Sequence, residues 1–219
     1  PTQDMILGTY YLTYVRLGKS EKGAEEVFVT DKGDFDLPEG QLVDGDLVEK
    51  ALDEAERFGK KAPQFIAKHA YSSVDEAITA YAGGAIGLHA PIRVRYGKMI
   101  DGEMRYQIIH ATVGRLIFNE PIPQDLGFVD RSKPENAFEL EISFLVGKKK
   151  LGVIIDKCIR KHGFTIATEM LDRVKALGYK YSTKGAITVS IADMAIPEKK
   201  YALVDAAEHE AVKIDRQYK

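Results

Sequence analysis

IRVRYGKMIDGEMRYQI, residues 92–108, is where this chain changes its period. Ile92, Val94 and Tyr96 alternate with Arg93 and Arg95, and Met104, Tyr106 and Ile108 alternate likewise. A period of two marks strands with one side turned to a core, and the intervening GKMIDGE reads as a turn. The stretch predicts an antiparallel hairpin with a buried apolar face and a basic face that carries Arg93 and Arg95. Helical spacing dominates on both sides of it. The expected class is mixed α+β: helices with short antiparallel hairpins.

Upstream, QDMILGTYYLTY (Gln3 to Tyr14) predicts a short buried helix in which Gly8 admits a close neighbour. Glycines, acids and Pro38 between Gly18 and Gly45 describe an exposed loop. Asp46 resembles a helix N-cap with Glu49 three residues on, ahead of Val48, Ala51, Leu52, Ala55 and Phe58 at helical spacing. Pro63 should end or kink that helix. Ser73 and Glu76 form a capping box for a helix carrying Val74, Ala77, Ile78 and Tyr81, which closes at Gly83-Gly84.

Downstream, Phe138, Leu140, Ile142 and Phe144 alternate with Glu139, Glu141 and Ser143, which predicts another strand. Two helices follow, separated at Gly163. The first carries Leu151, Ile154, Ile155 and Cys158; the second carries Ala167, Met170, Leu171, Val174 and Leu177 and is closed by Gly178. Ile187 to Ile191 (ITVSI) reads as a strand and Asp193 as a turn. From Pro197 to Lys219, Val204, Ala207, Ala211, Ile214 and Tyr218 step by three and four, the narrow seam of a helix that packs on one other helix. Pro197 suits the first helical position, and Asp215 with Lys219 makes an i,i+4 pair. With no downstream partner, and with Pro1 opening directly on helix-compatible sequence, the chain reads as a piece of something larger.

Bulk composition excludes more than it selects. The 219 residues are 45% hydrophobic, enough for one substantial core or two small ones. Basic and acidic residues number 31 and 33, so no global field draws nucleic acid or membrane. The single Cys158 suits a reducing compartment, no apolar run is long enough to span a bilayer, and a cytoplasmic location is expected.

No catalytic apparatus is legible. Asp34, Asp36, Asp44 and Asp46 are clustered carboxylates of the kind that bind magnesium, but a flexible proline-containing stretch separates the two pairs. They read as loop solvation and capping, with no metal site. His69, His89, His110, His162 and His209 show no metal-ligand spacing, and Cys158 lies on an apolar helical face. Lys148, Lys149 and Lys150 open a helix continued by Lys157, Arg160 and Lys161. With Arg93 and Arg95 these could meet phosphates or an acidic partner; otherwise they solubilise a helix face, and no aromatic platform is evident beside them. On pattern alone the chain is an interaction or scaffold module.

PTQDMILGTYYLTY (Pro1 to Tyr14), LHAPIRVR (Leu88 to Arg95), TVGRLIFNE (Thr112 to Glu120) and the run from Thr168 to Tyr218 resemble the largest, beta-prime subunit of bacterial RNA polymerase. The resemblance extends over residues 1–14, 72–118 and 147–219, in the family's order, which is 134 of the 219 residues. The resemblance implies the wall and rim of the secondary channel, through which nucleoside triphosphates enter. It places Gln3 nearest the active centre, with Arg93 and Arg95 also near the channel. It makes the terminal helix, through Val204, Ala207, Ala211, Ile214 and Tyr218, the first helix of an antiparallel rim coiled coil on which transcript-cleavage factors dock. The family's catalytic N-A-D-F-D-G-D motif is missing here, so no catalytic residue, metal or cofactor is expected in this stretch. Magnesium and zinc belong elsewhere in the whole nucleotidyltransferase. The implied partners are the alpha, beta, omega and sigma subunits, DNA, RNA and nucleoside triphosphates, with no membrane.

The implied organisation is an N-terminal core helix (1–14), a lineage-specific insertion with its own helix (15–71), and a helix with antiparallel strands (72–146). A helical pair with a strand and turn (147–196) and the rim helix (197–219) complete it. Some members of the family bind guanosine tetraphosphate through a lysine, an aspartate and a tyrosine. Only the aspartate is kept, as Asp172; Thr165 and Ala176 occupy the other two positions. No such site is expected, and Asp172 should bond a neighbouring backbone group. A free-standing module that uses its basic faces on a protein or nucleic acid remains the alternative.

Overall fold

The structure is a computed structural model that describes residues 2–100 and 102–218. In chain order the elements are α1 (Thr2–Thr13), β1 (Glu26–Asp31), β2 (Leu42–Asp44), α2 (Gly45–Phe58), β3 (Gln64–Ala67) and β4 (Ala70–Tyr71). They continue with α3 (Val74–Ala82), β5 (Pro91–Ile100), β6 (Glu103–Thr112), α4 (Val113–Asn119), α5 (Lys148–Lys184) and α6 (Lys199–Tyr218). The class is the expected α+β. Among the described residues the strands form two sheets, ordered β2-β1-β3 and β4-β5-β6.

The hairpin of residues 92–108 is present and longer than its alternation suggests. β5 and β6 pair antiparallel from Pro91↔Thr112 to Ile100↔Glu103, so most of the expected GKMIDGE turn is ladder. Asp101 lies outside the described residues. β4 adds to β5 in parallel, through Ala70↔Arg93 and Tyr71↔Val94. α4 starts directly from β6, where the Thr112 hydroxyl accepts from the Arg115 N–H at 3.1 Å. α3 starts at Ser73, whose hydroxyl accepts from the Glu76 N–H, and the Glu76 carboxylate returns to Ser72. That is the expected box, shifted by one residue on its return arm.

The stretch from Gly18 to Gly45, expected to be a loop, holds β1 and β2. β1 pairs with β2 on one side and with β3 on the other, both antiparallel. Val27 and Val29 point inward, and Leu17, Val43, Val48 and Ala51 join them in a small cluster beneath α2. The cap also moves. Asp44, in place of Asp46, is the N-cap of α2, accepting from the Asp46 N–H at 2.9 Å. Asp46 instead accepts from the Lys19 N–H, and Glu49 from the Leu17 N–H, which fastens the loop over the helix start. α2 ends at Phe58 on Gly59, ahead of Pro63.

Two glycines set the crossing of α1 and α5. A Cβ built on Gly8 would lie 1.8 Å from the Gly178 carbonyl oxygen, and one on Gly178 would lie 2.7 Å from the Met5 carbonyl oxygen. The backbones therefore touch, which only glycine permits. Gly8 is the expected close-approach residue. Gly178 is not a helix end: α5 continues through it to Lys184 and closes at Gly185. The expected break at Gly163 is present, with φ 78° and ψ −179° inside the otherwise helical run. Leu151, Ile154 and Cys158 before it, and Ala167, Met170, Val174 and Tyr181 after it, are buried. They meet Leu12, Ile92, Val94, Val113, Phe118 and Ile142 in the principal core.

Two expected strands are absent. Phe138, Leu140 and Ile142 are buried as their alternation requires, but the segment pairs with no strand. Side chains take its amides instead: Glu141 N–H donates to Gln124, Ile142 N–H to Asn119 and Val146 N–H to Thr13. Glu141, expected to face solvent, is 1% exposed; it accepts from the Phe128 N–H and meets the Arg131 guanidinium at 3.2 Å. Ile187 to Ile191 is likewise no strand. It is exposed chain leading to a short 3-10 turn at Ile191–Asp193, closed by a reciprocal Ser190 and Asp193 cap. The expected turn at Asp193 is there. The chain divides into two compact units after Gly185, and both hydrophobic clusters lie in the first.

Candidate functional site

Hairpin register decides which side chains share a face. Direct partners point the same way, so Ile92, Val94 and Tyr96 lie with Ala111, Ile109 and Gln107. Ile92 and Val94 are fully buried, and Ile109 and Ala111 nearly so. The other face carries, beyond Pro91 with Thr112, the rows Arg93 with His110, Arg95 with Ile108, Gly97 with Tyr106, and Met99 with Met104. Met104, Tyr106 and Ile108 were expected in the core and are instead outside, at 52%, 53% and 59% exposure. The Arg95 guanidinium stands 3.9 Å above the centre of the Tyr106 ring. Gly97 makes room for that ring, since a Cβ there would lie 2.7 Å from Tyr106 Cε1. Neither Arg93 nor Arg95 has a carboxylate partner among the described residues. Gln3 is exposed in the first turn of α1 and makes no hydrogen bond with either arginine.

In the other basic run, Lys150, Lys157, Arg160 and Lys161 are committed to structure, whereas Lys148 and Lys149 are exposed. Lys157 Nζ donates to the Gly127 carbonyl and stands 4.0 Å over the Phe128 ring. Lys150 lies 4.6 Å over Phe144, Lys161 pairs with Asp125, and Arg160 with Asp156. Aromatic platforms thus do sit beside the charges, contrary to expectation, as their cation–π partners. The lysines strap residues 125–144 to α5.

Three of the four clustered acids are likewise engaged. Asp34 accepts from the Lys61 N–H, Asp44 caps α2, and Asp46 accepts from the Lys19 N–H. Among the described residues no group of His, Cys, Asp and Glu could hold a metal ion. Cys158 is fully buried, and burial pushes its thiol pKa up, away from nucleophilic use. His162 bonds Asp125 at 2.7 Å at the Gly163 break, and His209 faces Asp205 at 4.0 Å.

α6 begins two residues after the expected start; the Pro197 carbonyl accepts from Lys200 N–H just ahead of it. Every described residue of α6 is exposed, the seam of Val204, Ala207, Ala211, Ile214 and Tyr218 included. The expected Asp215 to Lys219 pair lies outside the described residues at its Lys219 end. No helix among the described residues is long and apolar enough to cross a membrane.

Residues 1–194 match the family model for RNA polymerase Rpb1, domain 3. The chain belongs to the RNA polymerase Rpb1 domain 3 family. It is 45% identical, over all 219 residues, to the DNA-directed RNA polymerase subunit beta' of Acetivibrio thermocellus and to that of Clostridium acetobutylicum. The same subunit of Clostridium novyi is 44% identical over the same span. This domain 3 chain covers 15% of the length of each of these relatives.

Within the domain, Asp172 pairs with the Lys175 ammonium at 2.8 Å, and not with a backbone group as expected. The residues that sequence reasoning missed are Glu21 and His89. The Glu21 carboxylate accepts from the His89 N–H at 3.0 Å, and both side chains are buried. Burial holds the Glu21 pKa above its ordinary value and the His89 pKa below its own. The His89 ring packs edge-on at 4.4 Å against Tyr11 and at 5.6 Å against Tyr14. Leu88-His89-Ala90 carries no local signal for this, because the pairing spans 68 residues.

Proposed function

We propose that this domain forms part of the wall and rim of the secondary channel of a bacterial RNA polymerase. In this reading α6 is the first helix of the rim coiled coil, on which transcript-cleavage factors dock. The supporting observation is that α6 runs for 20 residues with no buried residue of its own. A helix of that length is marginal in water without a packed face, and this one carries a seam of three- and four-residue steps. Gln3, at the exposed start of α1, is then a channel-side residue. Residues 15–71, with β1 to β4 and α2, are the lineage-specific insertion.

The domain supplies surface, and nucleotidyl transfer belongs to the whole subunit working with alpha, beta, omega and sigma on DNA, RNA and nucleoside triphosphates in the cytoplasm. Magnesium and zinc are held elsewhere in that subunit. Of the clustered acids in this domain, Asp34, Asp44 and Asp46 accept from the backbone N–H groups of Lys61, Asp46 and Lys19. Ala211→Glu puts a charge in the seam. In polymerase assembled with this variant, docking of a transcript-cleavage factor should weaken at least tenfold, about 1.4 kcal/mol. RNA synthesis without the factor should persist. Unchanged docking would show that this face of α6 meets no second helix.

A further inference from the structure

The outward face of the β5–β6 hairpin is built like the centre of an interface. Met99, Met104, Tyr106 and Ile108 are contiguous in the ladder and 58%, 52%, 53% and 59% exposed. Scattered exposed apolar side chains are ordinary, but a contiguous row rimmed by charge marks a covered surface. β6 is also the edge of its sheet, where an exposed apolar strand invites unwanted pairing unless something shields it. The residue types agree: tyrosine, methionine and arginine are those enriched at interface cores.

We propose that this face docks a protein segment that lays apolar side chains on the Met99–Met104–Tyr106–Ile108 row and presents carboxylates to Arg93 and Arg95. Charge complementarity names the partner's sign, because both guanidiniums lie beside the row without a carboxylate among the described residues. Nucleic acid is the poorer fit. The Tyr106 ring face that a base would stack on is already covered by Arg95 at 3.9 Å, and the apolar row offers phosphate nothing. This goes beyond the channel reading and replaces the role that the resemblance implies for Arg93 and Arg95.

Ile108→Cys tests it, since the chain's one native cysteine is fully buried. The labelling rate of residue 108 by a maleimide is read by peptide mass spectrometry, in the isolated chain and in assembled polymerase before and after nuclease treatment. The melting midpoint of the isolated variant reports that it folds. Labelling should slow at least tenfold on assembly, and the added pair Arg93→Glu and Arg95→Glu should largely restore the free rate. Equal rates in both states overturn the proposal. Protection that disappears with nuclease makes the occupant nucleic acid, and protection indifferent to charge reversal rejects an acidic partner. Ile214→Cys, labelled in parallel, reports on the α6 reading alone, so either proposal can fail without the other.

Discussion

His89 is a titratable ring held neutral by its surroundings, so its effect on stability has a definite sign. Burial lowers its pKa most, the nearby Arg16 charge lowers it further, and a hydrogen bond to the Tyr14 backbone works against both. Above its ordinary pKa of about 6.5 the ring is neutral in both folded and unfolded chains, and its contribution is fully present. As pH falls through that value the unfolded chain takes up a proton that the folded chain refuses, and stability is lost. Glu21 acts oppositely: its raised pKa lets the folded chain keep a proton that the unfolded chain releases, so stability grows as pH falls through that window. Comparison with His89→Gln isolates the histidine. Denaturant unfolding between pH 7 and 5 should show the native chain losing stability relative to the variant, by at most about 1.4 kcal/mol per pH unit. Parallel pH profiles would mean that the ring titrates normally in the fold.

At the scale of elements the hairpin face is the sharpest test of packing. Ile92 is fully buried and Ile108 is 59% exposed, although both are apolar and sit at alternating positions of one hairpin. Ile92→Asp should cost more than about 4 kcal/mol, because it buries an unpaired charge. Ile108→Asp should stay within about 0.5 kcal/mol in the isolated chain. Equal losses in denaturant unfolding would mean that the inward face is wrongly assigned. The hairpin was legible because alternation and helical spacing are different signals, but the face of β6 was not. Ile108 and Ile109 are adjacent apolar residues, so the alternation can start on either, and only the ladder from Ile100↔Glu103 to Pro91↔Thr112 chooses Ile109 and Ala111 for the core. β1 and β2 were hidden by the glycines and acids around them, and the second partner of β1, β3, lies far along the chain. Phe138 to Phe144 misled in the opposite direction. Its alternation is real and does bury one side, yet Gln124 and Asn119 take the Glu141 and Ile142 amides, and no strand forms. Gly8 is legible as a close approach, whereas its partner Gly178 reads as a helix stop, because local sequence cannot tell a close approach from a cap.

At the scale of the whole molecule the two compact units differ in what holds them together. Both hydrophobic clusters lie in the unit that ends at Gly185, whereas every described residue from 186 to 218 is exposed. A segment without buried side chains opens at little cost and is where proteases cut first. Limited trypsin treatment of the isolated chain should therefore nick at Lys199 or Lys200, between the short turn at Ile191–Asp193 and the body of α6. Released α6, lacking any packed face, should lose most of its helical signal. The remaining larger fragment should keep its melting midpoint within about 2 °C, since a loss of 1 kcal/mol would move a domain of this size by roughly 2–4 °C. Resistance at these lysines equal to that of α5, or a drop beyond about 5 °C in the fragment, would show that the second unit carries stability for the first. If the cut behaves as expected, α6 is ordered only when something outside these residues lies along its seam, which is the condition that docking in an assembled polymerase would meet.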